Sequence, residues 1–493
     1  MNFKKSLLMT LVSGALLATT GQALATNGYM LHGFGKNKAL GGSGSANPQD
    51  ALAVANNPAG MVFVGNRSDV TAEIFLPYRG YKFKTQTEVE SESHMFGLFD
   101  GYFVIPAMGF NWMMNENTSI GYALYGAGLG TDYNENDTTS LNTNGLTILK
   151  DCGQNGQLCQ NTATNLNSID GDSSTNNFQV VNDELVYKPS QPVKGTYADG
   201  PTGIDLLLLL NNFSIAHKIS NNLSLGAGFI IAAQSFKSKG LLLFKELSQE
   251  PDKVNSKGRD WAFGYGMNMG MLFKPVEDVT LSFSYQTEIE LQHKEYTGLF
   301  ADAGRLNFPQ NANFGVAFHT SDTSVFTFDV QWINWSGVPS IGNKFSSSNE
   351  SQGGFNVSNL GSTPGSVGVA EFNAMGSENG AGFGWKDSTV FKLGLQWKFS
   401  EESDAIFRVG YSHQDQIVPG SETLMGLLAP GVIQDHYTAG FTYDISDESE
   451  FTFNFFYAPR AEVEGQPVSF SQGVEYIYLE EYGFEFAFAL KSK

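Results

Sequence analysis

No long apolar run interrupts the body of this sequence. Beyond residue 25, no segment approaches the ~18 consecutive apolar residues that a membrane-spanning helix needs. The runs LLLLL (206–210) and GAGFIIAA (226–233) are both too short. Charge is scarce as well. Asp, Glu, Lys and Arg make up 16% of the residues, against about 25% in a typical soluble protein. Positive charge is the scarcer sign: 29 Lys and Arg stand against 50 Asp and Glu, for a net charge of −21. That balance excludes the basic footprint of a nucleic-acid partner. The chain has 2 cysteines and 7 scattered histidines, a poor ligand set for zinc. Neither a metal nor a cofactor is expected.

Catalytic signatures are missing too. No Gly-x-Ser-x-Gly elbow occurs, which removes the commonest hydrolase arrangement. GAGLG (126–130) and GYGMNMG (264–270) are not followed by helical patterns, so they are not nucleotide loops. Ser412 and His413 are neighbours in a strand pattern and point to opposite faces. An enzyme is not expected.

What is present begins with an export signal. Lys4 and Lys5 precede an apolar stretch (6–18), and Ala23-Leu24-Ala25 forms a small-x-small cleavage site. Residues 1–25 therefore read as a signal peptide, with the mature chain starting at Thr26. Cys152 and Cys159 then enter an oxidising compartment, where one local disulfide closing a loop is expected.

The rest alternates with period two. In FTFDVQWINW, Phe326, Phe328, Val330 and Trp332 share one face, and Thr327, Asp329 and Gln331 the other. Phe391, Leu393, Leu395, Trp397 and Phe399 repeat the pattern, as do Phe451, Phe453, Phe455 and Tyr457. A soluble sandwich also has period two. Here, however, aromatics are 13% of residues and gather at segment ends, as in the interfacial girdles of membrane barrels. Short polar turns (115–119, 219–222, 274–278, 319–324, 400–404, 445–450) alternate with long loops, another barrel trait. The fold class expected is all-β: a transmembrane antiparallel β-barrel of about fourteen strands, multi-pass in the outer membrane, over residues 68–493.

Two long loops carry apolar residues: Leu241, Leu242, Leu243, Phe244 and Leu247 in one, Leu299, Phe300 and Leu306 in the other. Such residues on an outer loop need either burial against another loop or a ligand. Gly126, Gly128 and Gly130 in one strand mark either a kink that opens the wall or relief of crowding inside it. Just before the strands, residues 49–56 read as a short helix, with Asn47 as N-cap, Pro48 at its first position and Pro58 ending it.

These motifs together resemble the FadL/TodX family of outer-membrane transporters for long-chain fatty acids and other hydrophobic compounds. The likeness spans nearly the whole mature chain. It rests on NNPAGM (56–61), on FDVQWINWS with Trp332 and Trp335, on RLNFPQNANFGVAF, and on GWKDSTVFKLGLQW with its Trp385-Lys386-Asp387 entry. The resemblance implies an N-terminal hatch, residues 26–67, inside the barrel, with Asn57, Pro58 and Ala59 as hatch residues. It implies ligand capture at the two apolar loops and sideways exit at a kink formed by Gly126, Gly128 and Gly130. The partners implied are a long-chain fatty acid or other hydrophobic small molecule and the surrounding outer-membrane lipid and lipopolysaccharide; a monomer is expected. For a fatty carboxylate, Lys237, Lys239, Arg305 and Arg408 are candidate local charges, although each is also readable as a solvated or lumen-lining cation. The alternatives are a general porin or a surface receptor or adhesin barrel. The chain departs from the family where Leu490 ends the last strand ahead of a polar tail, instead of a terminal aromatic.

Overall fold

The computed structural model describes residues 33–83, 89–92, 102–133, 146–149, 160, 163–164, 178–182, 184–187, 196–197, 200–245, 247–345, 374–465 and 474–492. The export signal, its cleavage site and the Cys152–Cys159 pair lie outside them.

Fourteen long strands close into one ring: β1 (Asn66–Phe83), β2 (Phe103–Asn115), β3 (Thr118–Tyr133), β4 (Thr202–Ser220), β5 (Leu223–Lys239), β6 (Asp260–Val276) and β7 (Val279–Gln286), then β8 (Asn311–Ser321), β9 (Ser324–Ile333), β10 (Ser388–Trp397), β11 (Ala405–Gln414), β12 (Asp435–Ser446), β13 (Ser449–Glu464) and β14 (Val474–Ser492). Each strand pairs antiparallel with its sequence neighbours, and β14 returns to β1 from Asn66↔Ser492 to Phe83↔Val474. Pairing of the first strand with the last closes the ring, which is how a barrel satisfies its backbone groups in a hydrocarbon layer. A short strand, Val89–Glu92, pairs with the outer end of β1, and Leu146–Leu149, Phe178–Val181 and Glu184–Tyr187 form a separate small sheet.

Alternation sorts the side chains. Phe391, Leu393 and Leu395 of β10 are exposed on the outer face, while Lys392 between them is buried in the lumen. On β9, Phe326 and Trp332 face outward and Thr327 and Asp329 are fully buried. Tight polar turns join β2 to β3, β4 to β5, β6 to β7, β8 to β9 and β12 to β13 at one end; the long connections leave from the other. Leu490 does not end the last strand. It pairs with Ser68 and Ser449 inside a ladder that runs to Ser492, because both neighbouring strands still offer hydrogen-bond partners there.

The lumen is filled by residues 33–65, which contain little regular structure: a 3₁₀ helix at Gly35–Leu40, an α-helical turn at Ala53–Asn56 and a 3₁₀ helix at Pro58–Phe63. The reading of one helix capped by Asn47 and ended by Pro58 is corrected. Residues before Ala53 form turns, and Pro58 opens the next helix instead of closing the last. Proline suits a first helical position because its missing N–H is not needed there. Asn57 is the actual cap, its Oδ1 accepting from Ala59 N at 3.1 Å.

With so few internal bonds, this segment draws partners from the wall. Asn212 Nδ2 and Asn268 Nδ2 both donate to Val54 O, at 3.1 and 3.0 Å. Asn111 Nδ2 donates to Met61 O at 2.9 Å, Ser224 Oγ to Ala59 O at 3.0 Å and Asn454 Nδ2 to Gly35 O at 2.7 Å. Asp329 accepts from Gly44 N and Ser45 N. Buried lysines add ion pairs: Lys36 with Glu450 at 2.5 Å, and Lys38 with Glu73 and with Glu485. Wall glycines let the hatch approach. A Cβ on Gly109 would lie 2.6 Å from the Ala51 carbonyl carbon, and one on Gly226 or Gly410 would overlap the backbone at Pro58 or at Leu40–Gly41.

Replacing Gly226 or Gly410 by Leu is therefore expected to dislodge the hatch. Ion conductance of the purified barrel in planar bilayers should rise several-fold, with a stability loss of about 1–3 kcal/mol from overpacking. Conductance equal to that of the unaltered protein would show that the contacts do not hold the hatch.

A candidate apolar ligand site

Above the hatch, the outer ends of β3, β4 and β5 carry a row of inward apolar residues: Leu129, Ile204, Leu206 and Phe236. Three outer connections fold over them. They contribute Leu299, Phe300 and Leu306 from 287–310, Trp335, Ile341, Phe383 and Trp385 from 334–387, and Met425, Leu428 and Ala429 from 415–434. These side chains line a small apolar space of about 50 Å³. Among the described lining residues, Asn307 is the one amide. Its Oδ1 accepts from Leu291 N at 2.9 Å and its Nδ2 donates to Glu288 at 2.6 Å, so it serves the loop and not the cavity. A second space of about 60 Å³ lies between the hatch and β6–β10, lined by Asn268, Gln286, Asn311, Asn313, Gln331 and Lys392 among others. It is polar.

The eight apolar loop residues divide. Leu299, Phe300 and Leu306 line the apolar space. Leu241, Leu243, Phe244 and Leu247 are buried elsewhere, in a loop core where Phe244 packs on Tyr197 at 4.7 Å and on Phe345 at 5.7 Å. Leu242 is half-buried and does not line the space. The two loops also bind each other, Ser248 Oγ donating to Gly298 O at 2.6 Å and Thr297 Oγ1 to Glu250 at 2.9 Å. Loop–loop packing thus accounts for the first loop and the cavity for the second. The lining residues at Met425, Leu428 and Ala429 were missed. Their signal was the same one, an apolar run (LMGLLAPGV, 424–432) inside an outer loop.

The candidate cations do not reach this space. Lys239 pairs with Asp132 at 2.6 Å and Arg305 with Asp302 at 2.8 Å, both pairs half-buried. Arg408 is buried in the lumen, bonded to Gln49, Gln396 and Thr442. Lys237 is also absent from the lining.

Gly126, Gly128 and Gly130 sit on β3 in unbroken register with Leu209, Leu207 and Asp205 of β4. The expected kink is not a slip of that ladder. The change is on the other side, where pairing with β2 ends at Ala107↔Tyr125. Among the described residues, none pairs with β3 beyond Tyr125 on that side, although β2 continues beside β1 to Phe75↔Phe103. Parity also decides the role of the glycines. Tyr125, Leu129 and Tyr133 point inward, Leu129 onto the cavity and Tyr133 donating to Leu427 O at 2.9 Å. The glycines therefore face outward, which removes crowding of the lumen as their explanation.

Behind Phe236 and Phe300 lies His293, fully buried, with Nε2 at 2.8 Å from Gln234 Oε1 and Nδ1 at 3.7 Å from Asp260. Burial pushes its pKa down to about 4, with Asp260 partly opposing the shift. A depressed histidine stabilises the fold fully above its ordinary value near 6.5, and that contribution is lost as pH falls from about 6.5 to about 4. Backbone deuterium exchange over 287–310, corrected for intrinsic rates, should accelerate between pH 7 and pH 4.5. His293→Gln should flatten that dependence, and an unchanged slope in the variant would contradict it.

Residues 181–469, more than half of the chain, match the sequence family described as outer membrane protein transport protein (OMPP1/FadL/TodX). No curated protein matches the chain in sequence. Among solved structures, the fold is similar to the toluene transporter TodX of P. putida, at 14% identity and a TM-score of 0.58 over 94% of this chain and 99% of that one. It is also similar to the toluene transporter TbuX of Ralstonia pickettii, at 16% identity and a TM-score of 0.55 over 94% and 99% of the two chains. A FadL homologue of Pseudomonas aeruginosa aligns at 14% identity and a TM-score of 0.57 over 96% of this chain and 100% of its own. With a closed fourteen-strand barrel, a filled lumen and this family match, the chain belongs to the OMPP1/FadL/TodX family of outer-membrane transport proteins.

Proposed function

We propose that this protein takes up hydrophobic small molecules across the outer membrane by diffusion, without energy coupling. Long-chain fatty acids and related hydrophobic compounds are the ligand class that its family resemblance implies. The observation that carries the reading is the position of the apolar space. One of its walls is Leu129 of β3, the strand whose ladder to β2 ends at Tyr125. A ligand held there by burial, at about 25 cal/mol per Å² of apolar surface, lies beside the part of the wall where β3 has no partner on its β2 side among the described residues. Exit through that gap into the membrane would spare the ligand from crossing water or the polar lumen. The descriptions of two similar structures as toluene transporters support the ligand class. Outward glycines at 126, 128 and 130 suit a passage, since they put no side chain in it. The hatch, fixed to the wall at Asn57–Ala59, argues against a general porin.

The test is uptake of radiolabelled toluene and oleate by cells that lack their own transporters and express this chain. Uptake of at least one should exceed that of vector controls. Changing Gly126, Gly128 and Gly130 together to Val should lower it at least ~10-fold, with folding verified by the heat-dependent gel shift of the barrel. No uptake from a correctly inserted protein would refute the reading; full uptake by the triple variant would refute sideways exit.

A further inference from the structure

Buried cations in this barrel are bonded, with one exception. Among the described residues, six Lys and Arg side chains are buried: Lys36, Lys38, Arg67, Arg79, Lys392 and Arg408. Lys36 and Lys38 meet glutamates, and Arg67 meets Asp69 and Glu450. Lys392 donates to Gln331, and Arg408 to Gln49, Gln396 and Thr442. Arg79 does none of this. It is 6% exposed, and no hydrogen bond or ion pair joins it to another described residue. Its Nε is sealed; Nη1 and Nη2, equally without partners, are not. A buried guanidinium without an anion is costly. An anion arriving from outside the fold would remove that cost.

The position of Arg79 is the second observation. On its β2 side, β1 pairs with β2 as far as Phe75↔Phe103, and with the short strand Val89–Glu92 from Gly80 onward. Between these ladders, Leu76 to Arg79 have no described partner on that side. Facing them, β3 has none beyond Tyr125. Arg79 therefore stands on one border of the gap in the wall, and Leu129, which lines the apolar space, stands on the other. At the inner end of the gap, the guanidinium carbon lies 5.8 Å from the centre of the Phe103 ring. At its outer end, Tyr81 of β1 reaches Tyr133 of β3, with 4.8 Å between ring centres. The arginine is framed by rings that offer no carboxylate.

Two acids are close enough to act on Arg79 through space, Glu481 and Asp132, but neither pairs with it. Asp132 is held by Lys239 at 2.6 Å, and the near neighbour of Glu481 is His436, at 3.5 Å. Neither acid occupies the guanidinium fork. That fork matches the planar oxygens of a carboxylate or a phosphate.

We propose that Arg79 holds the anionic head, carboxylate or phosphate, of an amphiphile whose tail lies along the gap beside β3. This rests on the sideways-exit reading above and adds a headgroup site to it. Two sources share that chemistry: a cargo carboxylate leaving the lumen, or a lipid phosphate entering from the membrane.

Three probes with one tail separate the terms: octanoate, octyl phosphate and 1-octanol, measured by calorimetry against the purified protein at pH 8. At least one anion should bind ~10-fold or more tightly than the alcohol. Arg79→Met keeps the length of the side chain and removes its charge. It should weaken the preferred anion by ~10–100-fold, the worth of a charge-assisted hydrogen bond, and leave 1-octanol within about two-fold. Arg79→Lys, which keeps the charge but not the fork, should recover part of the loss. A preference for octanoate would identify a cargo carboxylate and one for octyl phosphate a lipid head; either supports the site. Equal losses of anion and alcohol in Arg79→Met would reduce the arginine to packing and overturn the proposal, as would unchanged anion affinity. No anion preference in the unaltered protein, with 1-octanol still bound, would overturn the headgroup site and leave sideways exit standing. Failure to bind any of the three would remove both.

Discussion

Hydrogen-bond satisfaction of the hatch by the wall governs the rest of this structure. A segment with three short helical turns cannot pair its own backbone, and inside a closed barrel it has little water to pair with. Inward side chains do the work: Asn111, Asn212, Asn268 and Asn454 donate to its carbonyls, and Asp329 accepts from its amides. The polar half of the strand alternation is thus a docking surface more than a water-filled lining. The same requirement explains the charges. Lys36 and Lys38 are buried with Glu450, Glu73 and Glu485, and removing one partner would strand the other in a dry place. It also explains Gly109, Gly226 and Gly410, which let the hatch backbone come close enough to bond.

A filled lumen constrains where a ligand can go. The direct axial route meets the hatch and a polar chamber beside Asn268 and Lys392. The apolar space sits above, against β3–β5, under loops that hold one another through Ser248, Thr297 and Gly298. Hydrophobic surface is buried most favourably there. That space borders the one stretch of β3 without a described partner on its β2 side.

The alternation of Phe326–Trp332 and Phe391–Phe399 made the barrel legible, because membrane and lumen demand opposite residues at successive positions. The hatch was less legible. Asn47-Pro48 and Asn57-Pro58 are both acceptable helix starts, and only tertiary contact with the wall selects the second. Apolar loop residues were recognisable as needing burial, but composition cannot say which of them bury against another loop. Phe244 finds Tyr197 and Phe345, whereas Phe300 finds the cavity. Trp335 and Trp385 stood out in the sequence as part of a motif. Their separate states, one N–H bonded and one not, come from Ser388 lying near the first and no acceptor among the described residues near the second. The glycines of β3 were readable as a weak point, but not which neighbour would be lost.

The central claim is that a hydrophobic ligand rests in the apolar space beside β3. Anomalous diffraction from crystals soaked in a bromine-labelled neutral aromatic tests it most directly. The account predicts a bromine peak enclosed by Leu129, Leu206, Phe300 and Met425. A peak in the polar chamber beside Asn268 and Lys392, with none in the apolar space, would contradict it.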